Sequence, residues 1–306
     1  MGRPVAAYTG FDANGCFPAT ELVGTCLGTQ SSAGPFLEHG QCCYDVCGGL
    51  AVPCGRPLLV HGTTRVAKTT SRGDWMASVG TDGNFPEAAR AWREDAALEH
   101  ASIASFARLA LELVALGAPP ELVAAANAAA LDEIHHAKIC FALAARFGHP
   151  PVGPAPMSLE GVPLAADLEE IAIEAAAQSC VGETVAALVL ARASEVCAPE
   201  IAPLLAKMSE DELAHATLGW NLVAWACAEC GDSLWQRVKG ALVVGDYVAP
   251  DSNDLAAWHR AGRLGRVDLE DVTKTARALV ADVVAQADRQ RALPERSAAS
   301  TAFARA

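Results

Sequence analysis

"LDEIHHAK", residues Leu131 to Lys138, sets two acids and two histidines side by side in a run otherwise filled with alanine and leucine, and "EDELAHAT", Glu210 to Thr217, repeats the pattern. Residues three apart on a helix share a face, so Glu133 points with His136 and Glu212 with His215. A single E-x-x-H occurs in many helices by accident. Two of them, each with an aspartate just before the Glu, ask for a common explanation: each pair can grip one metal ion.

The surrounding sequence says what kind of scaffold carries them. The chain has 306 residues and is 52% hydrophobic. Much of that fraction is alanine in long stretches free of Pro and Gly, and strand-favouring runs are sparse, so the fold class expected is all-α. Breakers cut the regular pattern into four long helices, at about Glu87–Leu116, Pro120–Phe147, Leu164–Val196 and Pro203–Cys230. The connection at Gly117 to Pro119 is so short that the first two must be antiparallel neighbours, and Pro120 suits a first helical turn. Between the second and third helices stands "GHPPVGPAPMSLEGVP", too rich in proline for helix. Hairpin, long connection, hairpin is the order of a four-helix bundle with one long crossover.

That order predicts a Cys-rich module over 1–60, a hairpin and linker over 61–86, the bundle over 87–230 and a helical extension over 231–306. Within these, "RPLLVHGTTRVA" reads as two short strands about His61-Gly62. The extension is expected to hold a last helix around Leu269–Arg289 and a frayed tail, "ALPERSAASTAFARA".

A dinuclear carboxylate site needs one further Glu from each of the other two helices, at matching depth. Glu99 lies in "LEHASIASF" of the first, and Glu183 is the lone charged residue from Ala175 to Ala191 of the third. A carboxylate in a helix that is apolar all round is buried and needs a positive partner. Glu99 stands eighteen residues before Gly117 and Glu133 thirteen after Pro120, about 27 and 20 Å from the turn at the helical rise. Those levels are compatible.

With these residues in place, Glu99, Glu133-x-x-His136, Glu183 and Glu212-x-x-His215 resemble the six-ligand pattern of the ferritin-like di-iron carboxylate superfamily, which includes bacterioferritin, rubrerythrin and the bacterial multicomponent monooxygenases. The likeness covers about residues 87 to 230. "EHASIASFARLALELVALGAPPELVAAA", "DEIHHAK" and "CVGETVAAL" further resemble bacterial "ferritin-like domain" proteins. The resemblance implies bridging carboxylates at Glu133 and Glu212, terminal ones at Glu99 and Glu183, and imidazole ligands at His136 and His215. It makes Asp132 and Asp211 the acids that accept the remaining imidazole N–H groups. It implies two Fe ions, or one Fe and one Mn, with O2 as co-substrate.

Each of these residues also has a plainer reading. The six can form a metal-free network of buried ion pairs, although Arg and Lys are scarce on the same helix faces. His100 and His135 stand beside the ligands but turned away, as surface or packing residues. Cys140 and Cys180, one turn from His136 and Glu183, are candidates for a catalytic role or small buried hydrophobes. Cys227-x-x-Cys230 is a single pair at a helix end, read as a disulfide or an inert pair rather than a zinc or redox site. Six cysteines, Cys16, Cys26, Cys42, Cys43, Cys47 and Cys54, crowd a Gly-rich stretch and read first as a disulfide framework, second as a metal or electron-transfer module. The paired C-x-x-C motifs of a rubredoxin module are missing, which weakens a rubrerythrin-type peroxidase.

A net charge of −13 repels phosphate backbones, so no nucleic-acid partner is expected. The most apolar run, "CVGETVAALVLARA", is too short for a bilayer and carries Glu183, so no transmembrane segment is expected. "MGRPVAAYTGFDANG" lacks the apolar core of a signal peptide. An extracytoplasmic location follows if the cysteines form disulfides and a signal was removed, a cytoplasmic one otherwise.

The leading expectation is an O2-dependent non-haem di-iron oxidoreductase or oxygenase acting on a small organic or peptide substrate, with an electron donor as partner. Small residues one turn from the ligands, Ser102, Cys140, Cys180 and Gly219, leave room for that substrate or let the helices pack closely. The alternatives are a ferroxidase or iron-storage protein and a non-catalytic, metal-stabilised binding protein. A tyrosyl-radical role is disfavoured, because Tyr8, Tyr44 and Tyr247 all lie outside the four helices.

Overall fold

The computed structural model describes residues 30–38, 41–47, 56–60, 63–80, 83–165, 167–247 and 254–292, and they are mostly helical. The first hairpin is α1 (Pro86–Ala115) and α2 (Pro120–Arg146), packed along their lengths. Each begins on a proline in its first turn, as the missing N–H there has no helical partner to lose. Gly117, at φ 69°, supplies the left-handed residue that lets the chain reverse in so few positions.

The second hairpin differs from expectation in one arm. It starts at Leu168 rather than near Leu164: Asp167 caps the helix, its side chain accepting from the Glu170 N–H at 2.8 Å. α3 (Leu168–Ala175) then passes into a π-helical segment (Ala176–Glu183) and resumes as α4 (Thr184–Val196). Such segments insert extra residues into a turn and recur at functional sites, and this one ends on Glu183. Its partner α5 (Ala202–Cys230) packs on α4, on the π-helical segment and on α2. Gly219 of α5 is where the two arms touch: an added Cβ would stand 2.4 Å from Ser179 Cβ and 3.0 Å from the Cys180 backbone nitrogen. Gly219 therefore serves close helix contact and opens no space for a substrate.

The continuous helix Leu168–Val196 is 29 residues long and apolar enough to cross a bilayer, longer than the run Cys180–Ala193 alone implied. Yet 72% of its most apolar window is buried inside the protein, as in a core helix, and no clear transmembrane segment results among the described residues.

The described residues also hold shorter elements. Strands β1 (Gln30–Glu38) and β2 (Gln41–Cys47) pair antiparallel, as do β3 (Leu59–Val60) and β4 (Thr63–Thr64) at the expected turn. Unforeseen, β5 (Thr69–Ser71) pairs with β6 (Val152–Pro154), which pins the proline-rich connection to the linker. The C-terminal part supplies α6 (Asp232–Ala241), α7 (Leu255–Arg260) and α8 (Arg266–Ala292). α8 packs on α4, and α6 on α3 and α5. Arg263 locks this part down: it pairs with buried Asp95 of α1 and lies over the rings of Trp92 and Trp258, 4.7 and 5.8 Å from their centres. The expected disulfide framework falls on Cys16, Cys26, Cys54 and the side chains of Cys42, Cys43 and Cys47, all outside the described residues, as is the tail at 293–306. Cys227 and Cys230 are free thiols.

The Gly219 contact yields a prediction. Gly219→Ala should destabilise the protein by about 1–3 kcal/mol through overpacking against Ser179, read as a lower denaturant midpoint; an unchanged midpoint would show that the arms do not meet there.

Candidate metal centre

Two large apolar clusters make up most of the core, with a small third at Leu58, Val60 and Ala101. One half gathers Trp92 and Ala96 of α1, Cys140 to Phe147, Val181 to Ala193 and Ile201 to Met208. The other gathers Phe106 to Leu113, Leu122 to Ala129, Ile171 to Cys180 and Leu218 to Cys227. Between the halves lies one layer of polar side chains: Glu99 from α1, Glu133 and His136 from α2, Glu183 from the end of the π-helical segment, and Glu212 and His215 from α5. All six residues predicted from sequence meet there. Five are at most 2% exposed; Glu99, at 14%, marks the side nearest solvent.

They form two overlapping groups. Glu99, Glu133, His136 and Glu212 make the first, Glu133, Glu183, Glu212 and His215 the second, and in each the ligand atoms lie within 4.8 Å of one another. Glu133 and Glu212 belong to both because each splits its oxygens. Glu133 Oε2 is 3.8 Å from His136 Nδ1, while its Oε1 is 3.3 Å from His215 Nδ1. Glu212 Oε1 is 3.3 Å from His136 Nδ1, while its Oε2 is 3.2 Å from His215 Nδ1. The imidazole rings are 5.9 Å apart.

The far side of each ring is fixed across the helix pair. His136 Nε2 of α2 bonds Asp211 of α5 at 3.3 Å, and His215 Nε2 of α5 bonds Asp132 of α2 at 3.4 Å. An aspartate holding the proton on Nε2 makes Nδ1, which faces the cluster, the nitrogen free to bind an ion once its own proton is displaced, as in metal-ligating histidines. Lys207, one turn before Asp211, pairs with that carboxylate. The i,i+4 spacing in "KMSED" is the sequence signal for this pair, and the helix-face reading above passed over it.

No family model, curated protein or solved structure matches the chain. The test of whether an ion fits is therefore internal. Among the described residues, both oxygens of Glu133, both of Glu183 and Nδ1 of His136 are buried without a hydrogen-bond partner, although buried polar atoms are almost always satisfied. These orphaned atoms are ones the two groups turn inward. A buried carboxylate and histidine cluster of this kind can hold a metal ion.

The other sequence candidates stay out of the cluster. His135 is exposed, with Nδ1 on Leu131 O at 3.0 Å, and His100 packs edge-on to Trp75. Cys140 and Cys180 are fully buried. Burial, and for Cys140 the nearby Glu99 charge, pushes both thiols well up, so they remain neutral and pack as small apolar groups.

Charge in the metal-free cluster is already polarised. Burial, then the neighbouring carboxylates, pushes Glu99 and Glu183 well above the usual range. For Glu212 burial acts in the same direction, yet the adjacent imidazoles of His136 and His215 outweigh it and hold that carboxyl low. Burial lowers the two imidazoles, but the carboxylates beside them, Asp211, Glu212 and Glu133 at His136 and Asp132, Glu133 and Glu212 at His215, hold them well above their ordinary value. Groups with raised values keep protons until a metal displaces them, so affinity should rise with pH and fall in acid. Adding Fe(II) anaerobically to the metal-free protein in weak buffer should acidify the solution; no proton release would contradict this electrostatic picture.

Proposed function

We propose that residues 87–230 form a ferritin-like four-helix bundle with one long crossover and that the six clustered residues hold two iron ions, or one iron and one manganese. Glu133 and Glu212 would be shared between the two ions, Glu99 with His136 would complete one site, and Glu183 with His215 the other. The observation that carries this reading is the split of Glu133 and Glu212 between the two imidazoles. An isolated single-ion site has no use for two such carboxylates. Four carboxylates and two neutral imidazoles balance two divalent ions, and mostly hard oxygen donors favour iron or manganese over copper or zinc.

The function we infer is that of an O2-dependent oxidoreductase acting on a small organic or peptide substrate. Two ferrous ions, when bound, supply electrons for the reduction of dioxygen. The chain's own part is positional. Asp132 and Asp211 keep protons on the outer imidazole nitrogens, the two apolar halves exclude water, and Glu99 faces the more accessible side. Iron storage is the second reading. The packing of α6 against α3 and of α8 against α4 favours a discrete enzyme over a cage subunit, since these helices occupy a flank of the second hairpin.

Aerobic addition of Fe(II) separates the two. An enzyme oxidises the iron it binds once and leaves the excess to the rate of buffer alone, whereas a storage protein continues to mineralise iron far beyond the capacity of its sites. Continued mineralisation would overturn the oxidoreductase reading.

A further inference from the structure

Arg56 lies outside all of the long helices, yet its side chain is fully buried. A guanidinium in that position is rare unless its charge is used. Its Nη1 donates to Ser179 Oγ at 3.0 Å, in the π-helical segment four residues before Glu183. Its guanidinium carbon stands 5.8 Å from the centre of the Phe106 ring, and that ring is 5.0 Å from the ring of His215. Nη2 pairs with Glu174 at 3.6 Å, and the same carboxylate pairs with Arg108. Burial lowers the basicity of Arg56, and the charge that most offsets this is Glu183.

Space filling does not account for these contacts. Among the described residues, Nε and Nη2 of Arg56 have no hydrogen-bond partner, so the site bears unsatisfied buried donors that an apolar residue of similar length would avoid. What the guanidinium does is hold neighbours of two ligands. Ser179 is wedged between Arg56 and α5, where Gly219 has no side chain to push it away. Phe106 backs the ring of His215. Glu183 and His215 are the two residues that occur only in the second group; Glu99 and His136, which occur only in the first, are not among the partners of Arg56 in the described residues.

We propose that Arg56 is a positioning residue for one half of the centre: through Ser179 and Phe106 it fixes Glu183 and His215, and so sets the affinity of the second metal position without acting on the first. This inference rests on the dinuclear reading above. It also gives the segment ahead of the helices a task at the metal centre, because Arg56 stands two residues after Cys54 in the sequence.

The test is an anaerobic Co(II) titration of the metal-free full chain by equilibrium dialysis, with bound cobalt counted and its visible absorption recorded. Wild type should take up two ions. Arg56→Met should bind one as wild type does and the other about 10–100-fold more weakly, the range typical of lost support behind a ligand. Arg56→Lys, which keeps the charge, should recover part of that loss. Ser179→Ala removes only the hydrogen-bond acceptor and should weaken the same single position by a smaller factor; it carries the test if Arg56→Met does not fold. Two ions at unchanged affinity, or both positions weakened alike in the folded variants, overturns the proposal. A wild-type chain that binds no Co(II) overturns the metal reading itself, and this inference with it.

Discussion

Four carboxylates in one buried layer are the constraint on which the rest of the structure depends. An ionised carboxylate taken from water into a protein interior loses several kcal/mol of hydration even after relaxation. Three in each group, with ligand atoms within 4.8 Å of one another, also repel. Two apolar half-cores close over this layer from either side, which limits the hydration that could relieve it. Positive charge must come from within. In the metal-free chain the two imidazoles provide some of it by holding protons, while Glu99 and Glu183 hold theirs. Among the described residues, that solution leaves carboxylate oxygens and an imidazole nitrogen without partners, a defect that divalent ions at the two group centres would remove.

The same layer ties the two hairpins together. α2 and α5 exchange supports, each contributing the aspartate that orients the other's histidine, and each lends one shared carboxylate to both groups. Neither hairpin holds a complete group alone. The centre is thus coupled to the docking of the hairpins. The Ser179–Gly219 contact, the π-helical segment and the Arg263 clamp on Asp95 all act on that docking from outside the ligand set.

Much of this is legible in the sequence because periodicity and breakers are local signals. Gly117, Pro120 and Gly231 mark the helix ends to within a few residues, and E-x-x-H spacing alone puts Glu133, His136, Glu212 and His215 on shared faces. Glu183 stands out as one charge in an apolar run. What is not legible depends on packing between distant segments. Nothing in "AAQSCVGE" announces a π-helical stretch, which forms against Gly219 of another helix. The strand at Val152–Pro154 depends on a partner some eighty positions earlier. Arg56 carries no helical spacing to the ligands, so positive charge beside the site looks scarce when only the helices' own faces are counted. The small residues Cys140, Cys180 and Gly219 fit either a substrate space or close packing, and the contact at Gly219 decides for packing at that position.

Whether this layer is a dinuclear metal centre or a network of buried acids and histidines turns on how much metal it binds. Elemental analysis of iron, manganese and zinc per chain, after anaerobic Fe(II) reconstitution and desalting, tests it most directly. A dinuclear centre gives about two ions per chain, one for each overlapping group of side chains. A value near zero in a folded protein would contradict it and leave the cluster as a structural network of buried charge.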